Sequence, residues 1–216
     1  MNQLYLMRLT LNPRSREARR DAASAYELHC TLRTRVFAGA SQEAKRALFR
    51  VERDSNTGLS TALVQSKDAP DFSTLPPGYW LDHPDVRSDY ADKLRAIATG
   101  QFLRFRLLAN PTIKQKNTDG KPARYGLYQE SEQRDWLTRK LSDGGTALID
   151  VGINKLDMQR FHKHNSEDKE QKIFAVLFEG ILQVADPDKL RLAVESGIGS
   201  AKGFGFGLLS LAPVRG

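Results

Sequence analysis

The sequence predicts an α+β fold of two tandem ferredoxin-like domains, residues 1–97 and 98–216. Three observations lead to this prediction. The 216 residues suffice for one large domain or two small ones. Apolar residues alternate in some segments, as in strands, and recur every three to four positions in others, as in helices. The second half orders these elements β-α-β-β-α-β, which is typical of a ferredoxin-like unit, and the first half follows the same order less closely.

Turn and loop signals separate the elements of the first half. Asn12-Pro13 ends the first strand, Asn56-Thr57-Gly58 is a turn signal, and residues 67–90 are rich in the Pro, Asp and Ser of loops. The predicted elements are a strand over 4–11, a helix of two possible segments over 16–36, a helical piece over 41–48, strands over 48–53 and 61–66, and a short helix over 88–97.

The second half is punctuated in the same way. Asn110-Pro111 ends its first strand, Ser131 is the predicted N-cap of a helix, and Gly144-Gly145 ends that helix. Residues 112–126 are polar and basic and are predicted to form a loop. The predicted elements are a strand over 102–109, a helix over 130–141, strands over 146–153 and 172–184, a helix over 187–195, and a strand over 204–212.

Composition limits the class of protein. The chain has 33 lysines and arginines against 26 acidic residues, a net charge of +7 and a mean hydropathy of −0.50. No stretch of about 18 apolar residues is present, so we expect no membrane span, and the N-terminal residues lack the pattern of a signal peptide. The single cysteine, Cys30, excludes an internal disulfide and a cysteine-cluster metal site. We therefore expect a protein of the reducing cytoplasm.

The positive charge is concentrated in two blocks, one in each half. Residues 8–20 hold five arginines and one acid, Glu17, whereas residues 102–124 hold six basic residues and one acid, Asp119. Such a distribution favours a polyanionic partner bound by a surface to which both halves contribute.

Within the second block, the strand and the predicted loop after it contribute differently. Arg104 and Arg106 share a strand face, because alternate residues of a strand point to the same side. Lys114, Lys116 and Lys121 lie on the predicted loop, which would follow a phosphate groove or simply be solvated.

The predicted helix over 16–36 carries three polar side chains on one face. Tyr26, His29 and Arg33 recur at helical spacing, about 100° around the helix from the apolar stripe that runs from Ala25 to Val36. An acid/base group, a second proton donor and a guanidinium therefore share one face at the margin of the core. The alternative is that Tyr26 caps the core edge and His29 is solvated.

The tail is rich in glycine. Residues 197–207 contain five glycines, which allow close backbone approach, and Lys202 adds a charge for a phosphate. The segment lies between a helix and a strand, the reverse of a P-loop, and Gly203 follows Lys202 where a P-loop needs Ser or Thr. Nucleotide hydrolysis is therefore disfavoured. The alternative is a tight connection between a helix and a strand.

No metal site or cofactor site is predicted. His162-Lys163-His164 lies in a charged segment without carboxylates at the spacing of a metal site. Cys30 adjoins His29, but neighbours on a helix point about 100° apart, which argues against a Cys–His pair.

Several segments together resemble the CasE family, the CRISPR-associated endoribonucleases of type I-E Cascade. The most specific is the tail pattern Gly-x-Gly-x-Ala-Lys-x-x-Gly-x-Gly-Leu-Leu-Ser over 197–210. The other segments are Leu11-Asn12-Pro13-Arg14-Ser15-Arg16, Tyr26-Glu27-Leu28-His29, Phe105-Arg106-Leu107-Leu108-Ala109-Asn110-Pro111, Trp136-Leu137-Thr138-Arg139-Lys140-Leu141 and Phe178-Glu179-Gly180.

The resemblance implies a function and a site. It implies metal-independent cleavage of precursor CRISPR RNA beside the repeat hairpin, after which the protein stays on the mature guide RNA with the other Cascade subunits. Tyr26 and His29 match the family's catalytic pair, and a further basic residue is Arg33 or Arg35. The residues expected to bind RNA are Arg20, Arg33, Arg35, Arg104, Arg106, Lys114, Lys116, Lys121, Gly199, Lys202 and Gly203.

The implied chemistry is attack of a ribose 2′-hydroxyl on its adjacent phosphate, which leaves a 2′,3′-cyclic phosphate and a 5′-hydroxyl. Imidazole, with an ordinary pKa of about 6.5, suits proton transfer near neutral pH, whereas a phenol with a pKa of about 10 is better at donating a hydrogen bond. We therefore expect His29 to transfer the proton, as base or as acid, with Tyr26 as its partner. The alternative function is a non-catalytic subunit that binds the RNA hairpin.

Overall fold

The computed structural model describes residues 3–40, 46–161 and 171–214, which form two compact units. The first unit holds the chain through Ala96 and also Lys202–Leu208, which lies in the second half of the sequence. The second unit holds Ile97–Arg160, Gln171–Ala201 and the chain from Leu209 on. Among the helices of the described residues, none is long and apolar enough to cross a membrane.

The first unit is built on a four-stranded antiparallel sheet in the order β2-β3-β1-β4. Its elements are β1 (Tyr5–Thr10), α1 (Arg16–Ala23), α2 (Ala25–Thr31), β2 (Leu48–Arg53), β3 (Ser60–Ser66), β4 (Asp85–Arg87) and α3 (Tyr90–Arg95). This is the strand order of a ferredoxin-like sheet, except that β4 precedes the second helix instead of following it. The looser match predicted for this half is therefore confirmed.

Serine caps decide where the first helices begin and end. The Ser15 side chain accepts a hydrogen bond from the Ala18 N–H, and Ser24 does the same for Glu27 at the start of α2. Ser24 has an extended backbone, which breaks the predicted helix into two segments. A π-helical turn, Leu32–Val36, follows α2. Leu28, Leu32 and Val36 are buried, as the apolar stripe predicts.

The second unit has a four-stranded antiparallel sheet in the order β12-β5-β11-β8. Its elements are β5 (Phe102–Ala109), β6 (Thr112–Lys116), β7 (Pro122–Gly126), α4 (Glu130–Asp143), β8 (Thr146–Lys155), β9 (Gln159–Phe161), β10 (Gln171–Ile173), β11 (Val176–Val184), α5 (Pro187–Ser196) and β12 (Leu209–Pro213). The order β5-α4-β8-β11-α5-β12 confirms the predicted ferredoxin-like unit.

Five local predictions are wrong. The single strand predicted over 172–184 is divided into β10 and β11. The predicted loop over 112–126 is the hairpin β6–β7. Gln129, not Ser131, caps α4, and it forms a capping box with Glu132. The short strand β4 lies in the predicted loop over 67–90 and pairs with β1. The last strand begins at Leu209 rather than at 204, because Gly205 and Gly207 have left-handed φ values of +81° and +87°, which extended strands do not contain. Most of the helical piece predicted over 41–48 lies outside the described residues.

A buried carboxylate ties the helices of the first unit together. The Asp21 side chain is fully buried and accepts hydrogen bonds from Tyr79 Oη at 2.7 Å and from Arg20 Nε at 2.8 Å. Arg20 Nη2 also donates to Thr31 Oγ1 at 3.1 Å. Burial, and then the charge of Asp21, raise the pKa of Tyr79, which keeps its hydroxyl protonated as a donor. The network links α1, α2 and the segment after β3.

Tyr79→Phe should lower the free energy of unfolding by about 1.5–3 kcal/mol, because it leaves a buried oxygen of Asp21 without its donor. Urea unfolding followed by tryptophan fluorescence measures the loss. Tyr5→Phe is the control, since the Tyr5 hydroxyl donates to Gln3 on the exposed surface, and it should cost less than about 0.5 kcal/mol. Equal losses of unfolding free energy in the two variants would show that the buried hydrogen bond of Tyr79 adds no more stability than an exposed one.

Candidate active site

The candidate site lies in the first unit, where α2 presents Tyr26 and His29 on one face. Both side chains are half-buried. The His29 ring stacks on Phe49 of β2, with ring centroids 6.4 Å apart and an interplanar angle of 17°. The Tyr26 ring stacks on Phe204, with centroids 5.9 Å apart and an angle of 26°. Each of the two rings is therefore held by an aromatic neighbour while remaining partly accessible.

The glycine segment Lys202–Leu208 packs against these same elements. A Cβ atom placed on Gly203 would lie 3.6 Å from Cε1 and Nε2 of the His29 ring. A Cβ atom on Gly205 would lie 3.2 Å from Phe49 Cε2 and 3.5 Å from the Cβ of Ala25. The absence of a side chain at Gly205 thus lets the backbone approach Phe49 closely, whereas at Gly203 a Cβ atom would make only ordinary contact with the imidazole.

A buried arginine holds the far end of the segment. Arg50, only 3% exposed, donates from Nη1 to the Leu208 carbonyl at 3.2 Å and pairs through Nη2 with Glu52 at 2.7 Å. Because Arg50 and Phe49 are consecutive on β2, one strand fixes both the Leu208 end of the segment and the ring beneath His29.

The electrostatic surroundings distinguish the two arginines that the sequence left open. Burial, and then the positive charge of Arg33, lower the pKa of His29. Arg35 acts on Tyr79 instead. Burial raises the pKa of Tyr79, and the positive charge of Arg35 is one of the smaller influences that oppose this rise. Arg33 therefore shares an electrostatic environment with His29, and Arg35 shares one with Tyr79.

The structure brings together only some of the predicted site residues. Tyr26, His29, Arg33, Lys202 and Gly203 lie on α2, the turn after it and the glycine segment. Arg20 lies in the same unit, but its guanidinium binds Asp21, Thr31 and Glu27.

Arg35 lies in the first unit, on the turn after α2, and the other predicted residues lie in the second unit, in three places. Gly199 packs against Trp136, from which a Cβ atom would lie 3.2 Å away. Arg104 and Arg106 share the sheet face opposite to the buried Leu103 and Phe105, as predicted. Lys114 and Lys116 lie on β6, and Lys121 lies in the turn of the hairpin.

One of these arginines has a carboxylate partner. Arg106 is directly opposite Glu179 on β11 and binds it at 2.6 Å, with both side chains about 42–43% exposed. An ion pair this exposed contributes about 0–1 kcal/mol, so a phosphate group can compete for the guanidinium.

No metal centre is evident in the described part of the chain, where no group of three His, Cys, Asp or Glu residues is placed to hold an ion. The predicted absence of a site at His162 and His164 concerns residues outside the described ranges.

The chain is similar to known CRISPR proteins over nearly its whole length. It matches the family described as CRISPR associated protein over residues 4–213. It is 37% identical over 219 residues to the CRISPR-associated endoribonuclease Cse3 of Thermus thermophilus, which covers 97% of this chain and 100% of the relative. It is 33% identical over 205 residues to the CRISPR system Cascade subunit CasE of Escherichia coli, with coverage of 91% and 96%.

A solved structure shows the same architecture. Thermus thermophilus Cse3 bound to an RNA representing a pre-cleavage complex has a TM-score of 0.79 at 36% identity, covering 98% of this chain and 100% of that one. The two ferredoxin-like sheets and the matching family model define a CRISPR-associated protein. More narrowly, the chain belongs to the CasE family, which includes Cse3. The fold class and the family resemblance predicted from the sequence are both confirmed.

Three residues of the site were missed by the sequence analysis. Phe49, Arg50 and Phe204 support His29, the glycine segment and Tyr26 respectively. Phe49 and Phe204 resemble any core aromatic in the sequence, and their contacts join distant parts of the chain. An arginine among apolar neighbours on a strand was the one signal available, since a buried arginine needs partners.

Gly205→Ala should destabilise the first unit by about 1–3 kcal/mol, because φ is +81° there and the new Cβ would crowd Phe49. Gly203→Ala is the matched control, since its Cβ would make ordinary contact with the His29 ring. Urea unfolding compares the two variants. An equal or larger loss for Gly203→Ala would contradict the packing described.

Proposed function

We propose that this chain is a metal-independent endoribonuclease that cleaves precursor CRISPR RNA next to the repeat hairpin and then stays on the mature guide RNA as a Cascade subunit. The observation that carries the proposal is the half-buried His29, held between Phe49 and the glycine segment beside Tyr26. The relatives support it, because one is named an endoribonuclease and has been solved with RNA, and another is named a Cascade subunit.

The reaction we propose is attack of a ribose 2′-oxygen on its neighbouring phosphorus. The bond from the 2′-oxygen to phosphorus forms as the bond from phosphorus to the 5′-oxygen breaks, which leaves a 2′,3′-cyclic phosphate and a 5′-hydroxyl. One proton leaves the 2′-hydroxyl and one is delivered to the departing 5′-oxygen. An acid, a base and nearby cations are thus sufficient, and no cofactor enters the reaction.

We assign the base to His29. Burial and Arg33 lower its pKa, so the imidazole is neutral at pH 7 and has a lone pair for the 2′-hydroxyl proton. Tyr26, one helical turn away on the same face, is a hydroxyl donor for the 5′-oxygen, because a phenol stays protonated at this pH. Arg33 and Lys202 are the cations for the charge that develops on the phosphate, and Arg33 is preferred to Arg35 because its field reaches His29.

Hairpin binding is proposed to depend on phosphates and shape. The deep, narrow major groove of A-form RNA hides its base edges, so phosphate and 2′-hydroxyl contacts dominate recognition. Lys114, Lys116 and Lys121 of the β6–β7 hairpin are exposed, and Arg104 and Arg106 add positive charge on the second sheet. Because precursor RNA is the substrate, we expect the protein to act in the cytoplasm.

His29→Ala should reduce single-turnover cleavage of a labelled repeat RNA by about 10²-fold or more, because it removes a positioned base, whereas binding of the hairpin is retained. His83→Ala is the control, since His83 is exposed in the loop before β4. Both variants are assayed with EDTA, which a metal-independent reaction tolerates. Cleavage by the His29→Ala variant at the native rate would show that His29 is not the base. Binding without cleavage by the native protein supports the non-catalytic alternative.

The pH dependence tests the direction of proton transfer. A base is active when deprotonated, so the cleavage rate should rise with pH and level off, with a midpoint below the ordinary histidine value of about 6.5. Arg33→Gln removes a positive neighbour that lowers the pKa of His29, and the midpoint should move up. Arg35→Gln should leave it unchanged. A rate that falls through this range as pH rises would make His29 the acid instead.

A further inference from the structure

The hairpin β6–β7 has two chemically different faces. Directly paired residues of antiparallel strands lie on the same side, and the sides alternate along the strand. Lys114 pairs with Arg124, which makes one face basic together with Lys116. Ile113 pairs with Tyr125 on the opposite face.

An exposed tyrosine lies on the basic face. Gly126 has the same parity as Arg124, so a Cβ atom on Gly126 would point to the basic face. That Cβ would lie 3.0 Å from Cζ and Oη of Tyr128. The Tyr128 ring therefore rests over Gly126 on the side of the cations, and it remains 56% exposed.

The ring is held in place by its surroundings. Tyr128 packs on Phe174, with ring centroids 4.9 Å apart and an interplanar angle of 51°. The preceding residue is fixed on both sides: the Leu127 N–H donates to the Pro111 carbonyl at 3.0 Å, and the Leu127 carbonyl accepts from Gln133 Nε2 at 3.0 Å. Gln133 is itself fully buried. Because the Tyr128 ring is already ordered, little conformational entropy is lost when a ligand covers it.

From this arrangement we infer that Tyr128 is a stacking site for an unpaired RNA base that flanks the hairpin stem. The inference deepens the proposed function and rests on it. Stacking on an aromatic ring accepts any base, while neighbouring cations hold the phosphates of the same strand. Bases inside a stem are already stacked on both sides, whereas an unpaired base beside the stem offers a free face.

The test compares a bare hairpin with the same hairpin carrying unpaired nucleotides on both sides, and an unstructured RNA of the same length serves as the reference. The flanking and terminal sugars carry 2′-O-methyl groups, so that no RNA is cut during the measurement. Native protein should bind the flanked RNA more tightly than the bare hairpin. Tyr128→Leu should weaken binding of the flanked RNA by about tenfold and leave the bare hairpin unchanged.

Two variants serve as matched controls. Tyr128→Phe keeps the ring and should bind like the native protein. Tyr125→Leu removes a 43% exposed tyrosine from the opposite face of the same hairpin and should also bind like the native protein. Gly126→Ala is a second test variant, because its Cβ displaces the Tyr128 ring. It should weaken binding of the flanked RNA and leave binding of the bare hairpin unchanged.

The possible results separate the inference from the proposed function. Three results would overturn the stacking site and leave the endoribonuclease proposal standing. They are native-like binding by Tyr128→Leu, an equal loss of binding in Tyr125→Leu, and an equal loss of binding for both hairpin RNAs. A native protein that does not prefer the hairpin over an unstructured RNA overturns the proposed function, and the stacking site with it.

Discussion

The close approach of a glycine backbone to the ring of His29 organises the candidate active site. Gly203 lies against the imidazole, where a Cβ atom would make only ordinary contact, and Gly205 lies against Phe49 beneath it, where a left-handed φ and a crowded Cβ position favour glycine. The segment comes from far along the chain, yet it packs with α2 and β2 in the first unit. Its attachment to β2 through Arg50 explains how a glycine-rich stretch, intrinsically costly to order, keeps a defined position.

This packing has an electrostatic consequence. Partial burial makes a charged imidazole unfavourable, and the positive charge of Arg33 acts in the same direction. Both effects favour the neutral form of the histidine, and no carboxylate of the described residues acts on its pKa. A phosphate with a developing negative charge would find Arg33 close to the same ring, so the group that lowers the pKa of the proposed base is also suited to stabilise the reacting phosphate.

Most of the fold was predictable because it follows from local patterns. The helix over 16–36 follows from apolar spacing, and its break follows from Ser24, a residue type that caps helices. The hairpin over 112–126 was missed because its residues are polar and its one apolar pair, Ile113 with Tyr125, is too short to show alternation. β4 was missed because its three residues are exposed and lack an apolar pattern.

The site was predictable only in part. Helical spacing brought Tyr26, His29 and Arg33 together, but the π-helical turn after α2 shifts the later positions, so spacing alone could not choose between Arg33 and Arg35. Arg50 binds Leu208, which lies 158 positions away, and Phe49 packs on His29 of a different element. No local pattern records such contacts.

Replacement of a single ribose by 2′-deoxyribose at the cleaved position of a hairpin RNA tests the proposed chemistry most directly. If the 2′-oxygen is the nucleophile, the substituted RNA binds as well as the all-ribose RNA and is not cut, whereas a deoxy substitution elsewhere in the flank has no effect. Cleavage of the substituted RNA at the normal rate would show that another nucleophile attacks the phosphate and would contradict the role given to His29.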